Sequence, residues 1–353
     1  MTTQGGLAKA AEYWGDHQRL DFYARGGLVW WDVPAVRRRL DQLISGDPEC
    51  DWIAHLKRAH LAGRAPVARA LSLCCGDGRV ERSLVLDGVA RECEGVDASP
   101  GALERARGLA DEAGVRGLSY RLCDVNQLEA DEGSYDLVVA HQALHHIEAL
   151  EHVAHTCRKA LRPGGLMVAH EYVGPNRLAT TPRDLELMNA ALRLLPERLR
   201  TSVSWQRSGR VGPGARRTPL QWARKAWLKL VHGELGAALV HRRNLARLRS
   251  TGQAYIKSEI RPIIGDELAA DDPTEAIRSA DILGVLEAEF EFVQLTPLHG
   301  ALLHRVLDDI AGNFDADDAE ATQMLEMLFD IEDHLTAAGQ LESHFAFVVG
   351  RPR

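Results

Sequence analysis

Between Arg69 and Val173 the chain alternates short apolar runs with helical ones, and no other feature restricts its fold as strongly. ALSLCC (70–75), ECEGVD (92–97), LSYRLCD (118–124), YDLVVAH (135–141) and GLMVAHEYV (165–173) read as five strands. VERSLVLDG, SPGALERARGLADEAG and LEHVAHTCRKALRPGG read as the helices between them, with Ser99 suited to an N-cap and Pro100 to a first helical turn. Strand then helix, repeated, predicts a parallel sheet with right-handed crossovers, because each helix must return over a face for the next strand to run the same way.

The rhythm stops after this stretch. Residues 175–287 form a long helical insertion, with a turn or loop expected at VGPGARRTP (211–219). AEFEFVQL (288–295) and SHFAFVVGRP (343–352) then read as two more strands, separated by the helical patterns GALLHRVLDDIAG and AEATQMLEMLFDIEDHL. Residues 7–63 read as helices rich in large aromatics, among them Tyr13, Trp14, Trp30, Trp31 and Trp52. The expected organisation is an N-terminal helical segment (1–64), an α/β core (65–174), the insertion (175–287) and C-terminal strands completing the sheet (288–353).

Apolar residues at 45% supply a core that needs neither disulfides nor metals. None of the six cysteines is spaced as C-x-x-C, and most lie in strand-like runs, which suits reduced thiols. With no charged start and apolar core at the N-terminus and no run long enough to span a bilayer, the expectation is a soluble, cytoplasmic protein without a membrane span. Net charge is −8, yet residues 193–261 hold sixteen Lys and Arg against three Glu, a local balance of +13. That asymmetry marks the insertion as a distinct region.

The first strand runs into CCGDGR, where Gly76 and Gly78 let the backbone approach a ligand and the next helix offers unpaired N–H groups. The second strand ends in Asp97, whose carboxylate can accept hydrogen bonds from a ribose. A nicotinamide fingerprint needs a third glycine where Glu81 stands, which disfavours a dehydrogenase.

In order and spacing, LSLCCGDGR, EGVDASPGALERAR, YRLCDVN, YDLVVAHQALHHI and LRPGG resemble the motifs of class I methyltransferases dependent on S-adenosylmethionine (SAM). The resemblance implies a Rossmann-like, seven-stranded, mostly parallel α/β sheet with one reversed strand in its edge region. It implies SAM as cofactor, with Gly76 and Gly78 at its methionine moiety, Asp97 at the ribose and Ala98 at the adenine. Asp124 and Val125 would meet the adenine amino side, and His141 would lie near the sulfonium. The chain departs from the first motif at Ser72, where an acid is usual, and at Cys74, where a glycine is; Cys74 retains its backbone N–H for the cofactor.

HEYVGPNR before a helical insertion resembles, more loosely, bacterial methyltransferases of small-molecule biosynthesis. The expected activity is methyl transfer to oxygen, nitrogen or carbon of a small metabolite held under the insertion, with the N-terminal helices as a lid. The alternatives are transfer to a protein or RNA, and a SAM-binding protein without transfer. A histidine is the natural base near neutral pH, so His141 and His145, sharing a helix face if a helix starts early, are candidate catalytic residues. Glu171 could orient or deprotonate an acceptor, and Tyr172 and His146 could contact it. No cysteine or carboxylate stands near these histidines at metal-ligand spacing, so no metal is expected. The basic insertion could dock an acidic carrier protein or a phosphate-bearing substrate. Nucleic acid is disfavoured by the acidic chain as a whole and by HQAL in place of the tetrad of base-amino methylating enzymes.

Overall fold

The computed structural model describes residues 4–210, 219–231 and 235–353, so the loop expected at 211–219 lies, but for Pro219, outside them. The strands are β1 (Val67–Leu73), β2 (Ala90–Asp97), β3 (Leu118–Leu122), β4 (Tyr135–His141), β5 (Leu161–Tyr172), β6 (Phe290–Pro297) and β7 (Phe345–Pro352). They form one sheet in the order β3-β2-β1-β4-β5-β7-β6. All neighbours from β3 to β5 pair in parallel, while β7 runs antiparallel to both β5 and β6. This is the Rossmann-like sheet with one reversed strand that the motif order implies.

Both faces are covered, which is why the central strands are apolar almost throughout rather than alternating. Ala70, Leu137, Val139, Leu166 and Val168 pack beneath Trp30 and the N-terminal helix Pro34–Ser45. Leu71, Val138, Ala140, Met167 and Ala169 pack on the other face against helices Leu150–Ala160 and Ile282–Glu289. Chain order reverses between β1 and β4. Crossovers leave in opposite directions there, so a crevice opens at the carboxyl edge, where Leu73, Asp97, His141 and Tyr172 end their strands.

Two expected helices are shorter than the pattern suggests. β5 begins at Leu161, so the RPGG segment belongs to the strand rather than to the preceding helix. GALLHRVLDDIAG is α-helical only over Leu303–Leu307. Asp309, at φ 62, halts it, and the half-buried Lys257 donates to the carbonyls of Arg305, Val306 and Asp308 at 2.9, 3.2 and 2.5 Å. Those carbonyls lack partners in the helix, and a cation is favoured at that end. Within the insertion, Pro219–Val231 and Leu235–Thr251 are helical as expected. Among the described residues no helix is long and apolar enough to cross a membrane.

Candidate active site

The glycine turn after β1 is built from three residues in left-handed backbone conformation: Cys74 (φ 47), Gly76 (φ 54) and Gly78 (φ 74). Cys74 therefore takes the glycine-like conformation that the usual residue there adopts freely, at the cost of about 1 kcal/mol or more of backbone strain. Asp97 ties the turn to β2. One carboxylate oxygen accepts from Gly76 N at 2.9 Å and the other from Ser99 N at 2.8 Å. Burial raises the Asp97 pKa against those hydrogen bonds.

SAM fits this turn. A Cβ added at Gly76 would meet no atom within 4 Å, so open space lies over that position. Residues 74–77 and Ala98 are half-buried, as the walls of a cleft would be, and the helix Arg79–Leu86 starts there. Gly78 is enclosed instead: an added Cβ would lie 2.4 Å from Tyr120 Oη and 2.9 Å from its Cζ. Gly78→Ala is therefore expected to cost about 1–3 kcal/mol through overpacking and positive φ. A thermal melt should show Tm falling by several degrees, together with weaker SAM binding.

Ser72 lacks the usual acid, yet a carboxylate stands close by. Glu81, on the first helix after β1, is fully buried beside Ser72, and burial pushes its carboxyl up to about 7 against the pull of the Ser72 hydroxyl and Arg82. Neither of its oxygens has a hydrogen-bond partner of good geometry. At the two residues expected to meet adenine, Asp124 accepts from Asn126 and Gln127 and caps a short turn in which Val125 is buried. Asn126 in turn receives the N–H groups of Glu148 and Ala149 at 2.9 and 3.0 Å.

The histidines divide into two groups. No helix starts early: His141 ends β4, and Leu144–His146 is a separate 3-10 turn, so the shared face expected for His141 and His145 does not form. His141 stacks on Trp52, ring centroids 5.7 Å apart, and lies 5.0 Å from His170. Burial there lowers its pKa to about 4 and that of His170 to about 3, so both imidazoles are neutral at physiological pH.

His145 and Glu171, by contrast, are joined. Glu171 is buried; its Oε1 accepts from Ala143 N at 2.6 Å and Leu144 N at 2.8 Å, and its Oε2 lies 2.9 Å from His145 Nδ1. Burial opposes charge on His145, but the hydrogen bond and charge of Glu171 outweigh it and raise the pKa. Tyr172 is buried nearby, its hydroxyl donating to Pro175 O at 3.1 Å and its ring 6.2 Å from that of His145.

The end of the insertion returns over this pair. Ile277 N donates to His145 O at 3.0 Å, and Arg177 Nη1 holds the carbonyls of Pro273 and Glu275 at 2.8 and 2.9 Å. This places Glu275 Oε1 3.8 Å from His145 Nε2 and Glu275 Oε2 3.9 Å from His146 Nε2. His146 Nδ1 lies 3.0 Å from Thr274 Oγ1, whose hydroxyl donates to the buried Asp272 at 2.7 Å. From the N-terminal helix Gln4–Gly15, Trp14 Nε1 also donates to Asp272, at 2.7 Å, and its ring meets that of His146 edge-on at 5.7 Å.

Asp272, Thr274 and Glu275 are thus site residues that the sequence reading did not pick out. They also supply what it found missing, a carboxylate beside the histidines: ligand atoms of His145, His146 and Glu275 lie within 4.8 Å of one another and could hold a metal ion.

Residues 71–169 match the family model described as a methyltransferase domain. A ubiquinone biosynthesis O-methyltransferase of Burkholderia vietnamiensis is 33% identical over 141 residues, covering 38% of this chain and 54% of the relative. Its counterpart in Xanthomonas euvesicatoria is 30% identical over 151 residues, 42% of this chain and 59% of the relative. The chain thus spans a little over half the length of these curated relatives. A SAM-dependent methyltransferase structure from Mesorhizobium loti aligns with 84% of this chain and 97% of its own, at 18% identity and a TM-score of 0.41. Residues 71–169 thus match a methyltransferase domain and lie on a sheet of the order that the class I SAM-dependent methyltransferase motifs imply, and it is this family, whose cofactor is S-adenosylmethionine, that the chain is similar to.

Proposed function

We propose that this protein transfers a methyl group from SAM to an oxygen of a small biosynthetic metabolite. One observation carries the reading: the glycine turn after β1 and the buried His145–Glu171 pair, at the ends of β4 and β5, share the carboxyl edge of one sheet. The relatives' names, O-methyltransferases of a biosynthetic pathway, support oxygen as the nucleophile and a small acceptor.

The cofactor supplies an electrophilic methyl group on a sulfonium. Gly76, Gly78 and the N–H of Cys74 take its methionine end, Asp97 its ribose, and Ala98, Asp124 and Val125 its adenine. His141, neutral and stacked on Trp52, forms an apolar wall near the sulfonium rather than a base. His145, oriented by Glu171, faces the acceptor hydroxyl together with Glu275, and these groups orient it and draw off its proton. His146 and Tyr172 line the acceptor side. The N-terminal helix, latched by Trp14 to Asp272, acts as the lid, and the insertion as the acceptor cap.

Calorimetric titration with SAM and with its demethylated product tests the reading. Wild type is expected to bind both, and Asp97→Ala at least about tenfold more weakly, since each lost hydrogen bond to a charged group contributes about 1.5 kcal/mol or more. Binding of neither ligand by wild type would remove the cofactor site and the proposal with it. A panel of hydroxylated small metabolites then identifies the acceptor.

A further inference from the structure

We infer that His145, His146 and Glu275 bind a first-row divalent cation, of the kind that prefers imidazole and carboxylate together, at the acceptor side of the site. The argument starts from which nitrogen of each ring carries hydrogen. Glu171 Oε2 is a carboxylate oxygen and can only accept, so His145 Nδ1 must donate to it across 2.9 Å. The Thr274 hydroxyl spends its hydrogen on Asp272 at 2.7 Å and has only a lone pair left for His146 Nδ1 at 3.0 Å. Both Nδ1 atoms are therefore donors. In the neutral rings both Nε2 atoms carry lone pairs, and both face the carboxylate of Glu275.

Three acceptors thus converge with no donor between them, which is unfavourable unless a positive charge sits at their centre. A proton on either ring could serve one His–Glu275 pair, whereas a single metal ion serves all three groups at once. The spacing suits it. Ligands bound at 2.0–2.1 Å in tetrahedral geometry lie about 3.4 Å apart, against 3.8 and 3.9 Å here. Those two distances run to different Glu275 oxygens, and one ligand atom from each residue lies within 4.8 Å of the others, so a closure of up to about 1.5 Å brings the set into place.

The surroundings are those of a metal site as well. A ligating histidine commonly donates its other N–H to a carboxylate or hydroxyl, which fixes tautomer and ring orientation. His145 has Glu171 in that position, and His146 has Thr274 backed by Asp272. Two imidazoles and one carboxylate leave coordination positions open, as in catalytic rather than structural sites. An acceptor hydroxyl in an open position would lose its proton to solvent more readily. The oxygen–methyl bond then forms as the sulfur–methyl bond breaks. That role rests on the transfer proposed above; the binding does not.

Cobalt(II) is the probe. Chelator-stripped protein is titrated with Co²⁺ and the visible d–d bands of nitrogen- and oxygen-ligated cobalt are followed, with Zn²⁺ as competitor. Wild type is expected to bind one equivalent, displaced by Zn²⁺, and Glu275→Gln and His146→Ala to bind at least tenfold more weakly. His334→Ala, at an exposed histidine outside the cluster, is expected to match wild type. Each variant's SAM affinity, measured without metal, reports that it is folded and tests the transferase reading separately. No visible band in wild type, or unchanged cobalt affinity in a Glu275→Gln protein that still binds SAM, overturns the inference.

Discussion

Glu171→Gln is expected to lower the rate of methyl transfer about 100-fold while leaving SAM affinity within a factor of two. The change is nearly isosteric, but it alters which partner donates. The new amide oxygen can still accept from Ala143 N and Leu144 N, which now reach Oε1 at 2.6 and 2.8 Å. Its NH₂ group must then face His145 Nδ1, now 2.9 Å from the other oxygen. Two donors cannot share that bond, so the ring takes the other tautomer, with hydrogen on Nε2.

The lone pair that faced Glu275 is lost, whether it serves the acceptor hydroxyl or a metal ion. Removing a partner that orients a ligating or reacting histidine typically costs 10–100-fold, and a wrong tautomer more. The readout is kcat with saturating SAM, alongside a SAM titration. A variant with wild-type kcat would show that the Glu171–His145 pair is only structural. Loss of SAM binding together with kcat would show that the turn around 143–145 had collapsed, leaving the pair's role to be read from a His145→Gln variant.

The second large effect concerns stability. Glu81→Gln is expected to make the protein more stable than wild type above pH 7, by about 3 kcal/mol, and to leave it little changed below pH 4.5. Burial pushes the Glu81 carboxyl from its ordinary 4.5 up to about 7, and each unit of difference is about 1.4 kcal/mol. A carboxyl raised on folding binds its proton more tightly in the native state. The native state is therefore favoured fully below the unfolded value. That advantage fades as pH rises from 4.5 to about 7, because the unfolded chain ionises freely while the buried group resists.

Above that window wild type bears the whole cost of a buried carboxylate with no hydrogen-bond partner of good geometry. Glutamine bears none of it. Denaturant midpoints from pH 4 to 8 would show wild type losing stability across the window and the variant staying flatter. Parallel curves would mean that Glu81 is solvated in a way that its surroundings do not indicate.

Where the sequence was informative, the physics was local. YDLVVAH coincides with β4 at Tyr135–His141 because an apolar run bounded by polar residues has one way to lie inside a covered sheet. Gly76 and Asp97 meet because β1 and β2 pair as neighbouring parallel strands, which brings the turn after one beside the end of the other. Tertiary contact decided the rest. Thr274 reaches His146 across 128 residues of chain, and ADDPTEA carries no periodicity or spacing that ties it to HQALHHI. His141 was drawn towards a catalytic role by proximity in sequence, but a strand end and a 3-10 turn send it and His145 to different surroundings. GALLHRVLDDIAG has helical periodicity throughout, yet Lys257, far along the chain, stabilises its early end.

Asp272, Thr274 and Glu275 occupy one short segment, while the cofactor turn and Asp97 lie two hundred residues or so earlier, on strands buried from both sides. On the proposed function, part of the acceptor side is therefore encoded apart from the turn that would hold the cofactor. On that reading, drift in the segment would retune the acceptor without disturbing the cofactor turn. On the proposed function, grafting 272–277 from a variant chain is expected to alter acceptor preference.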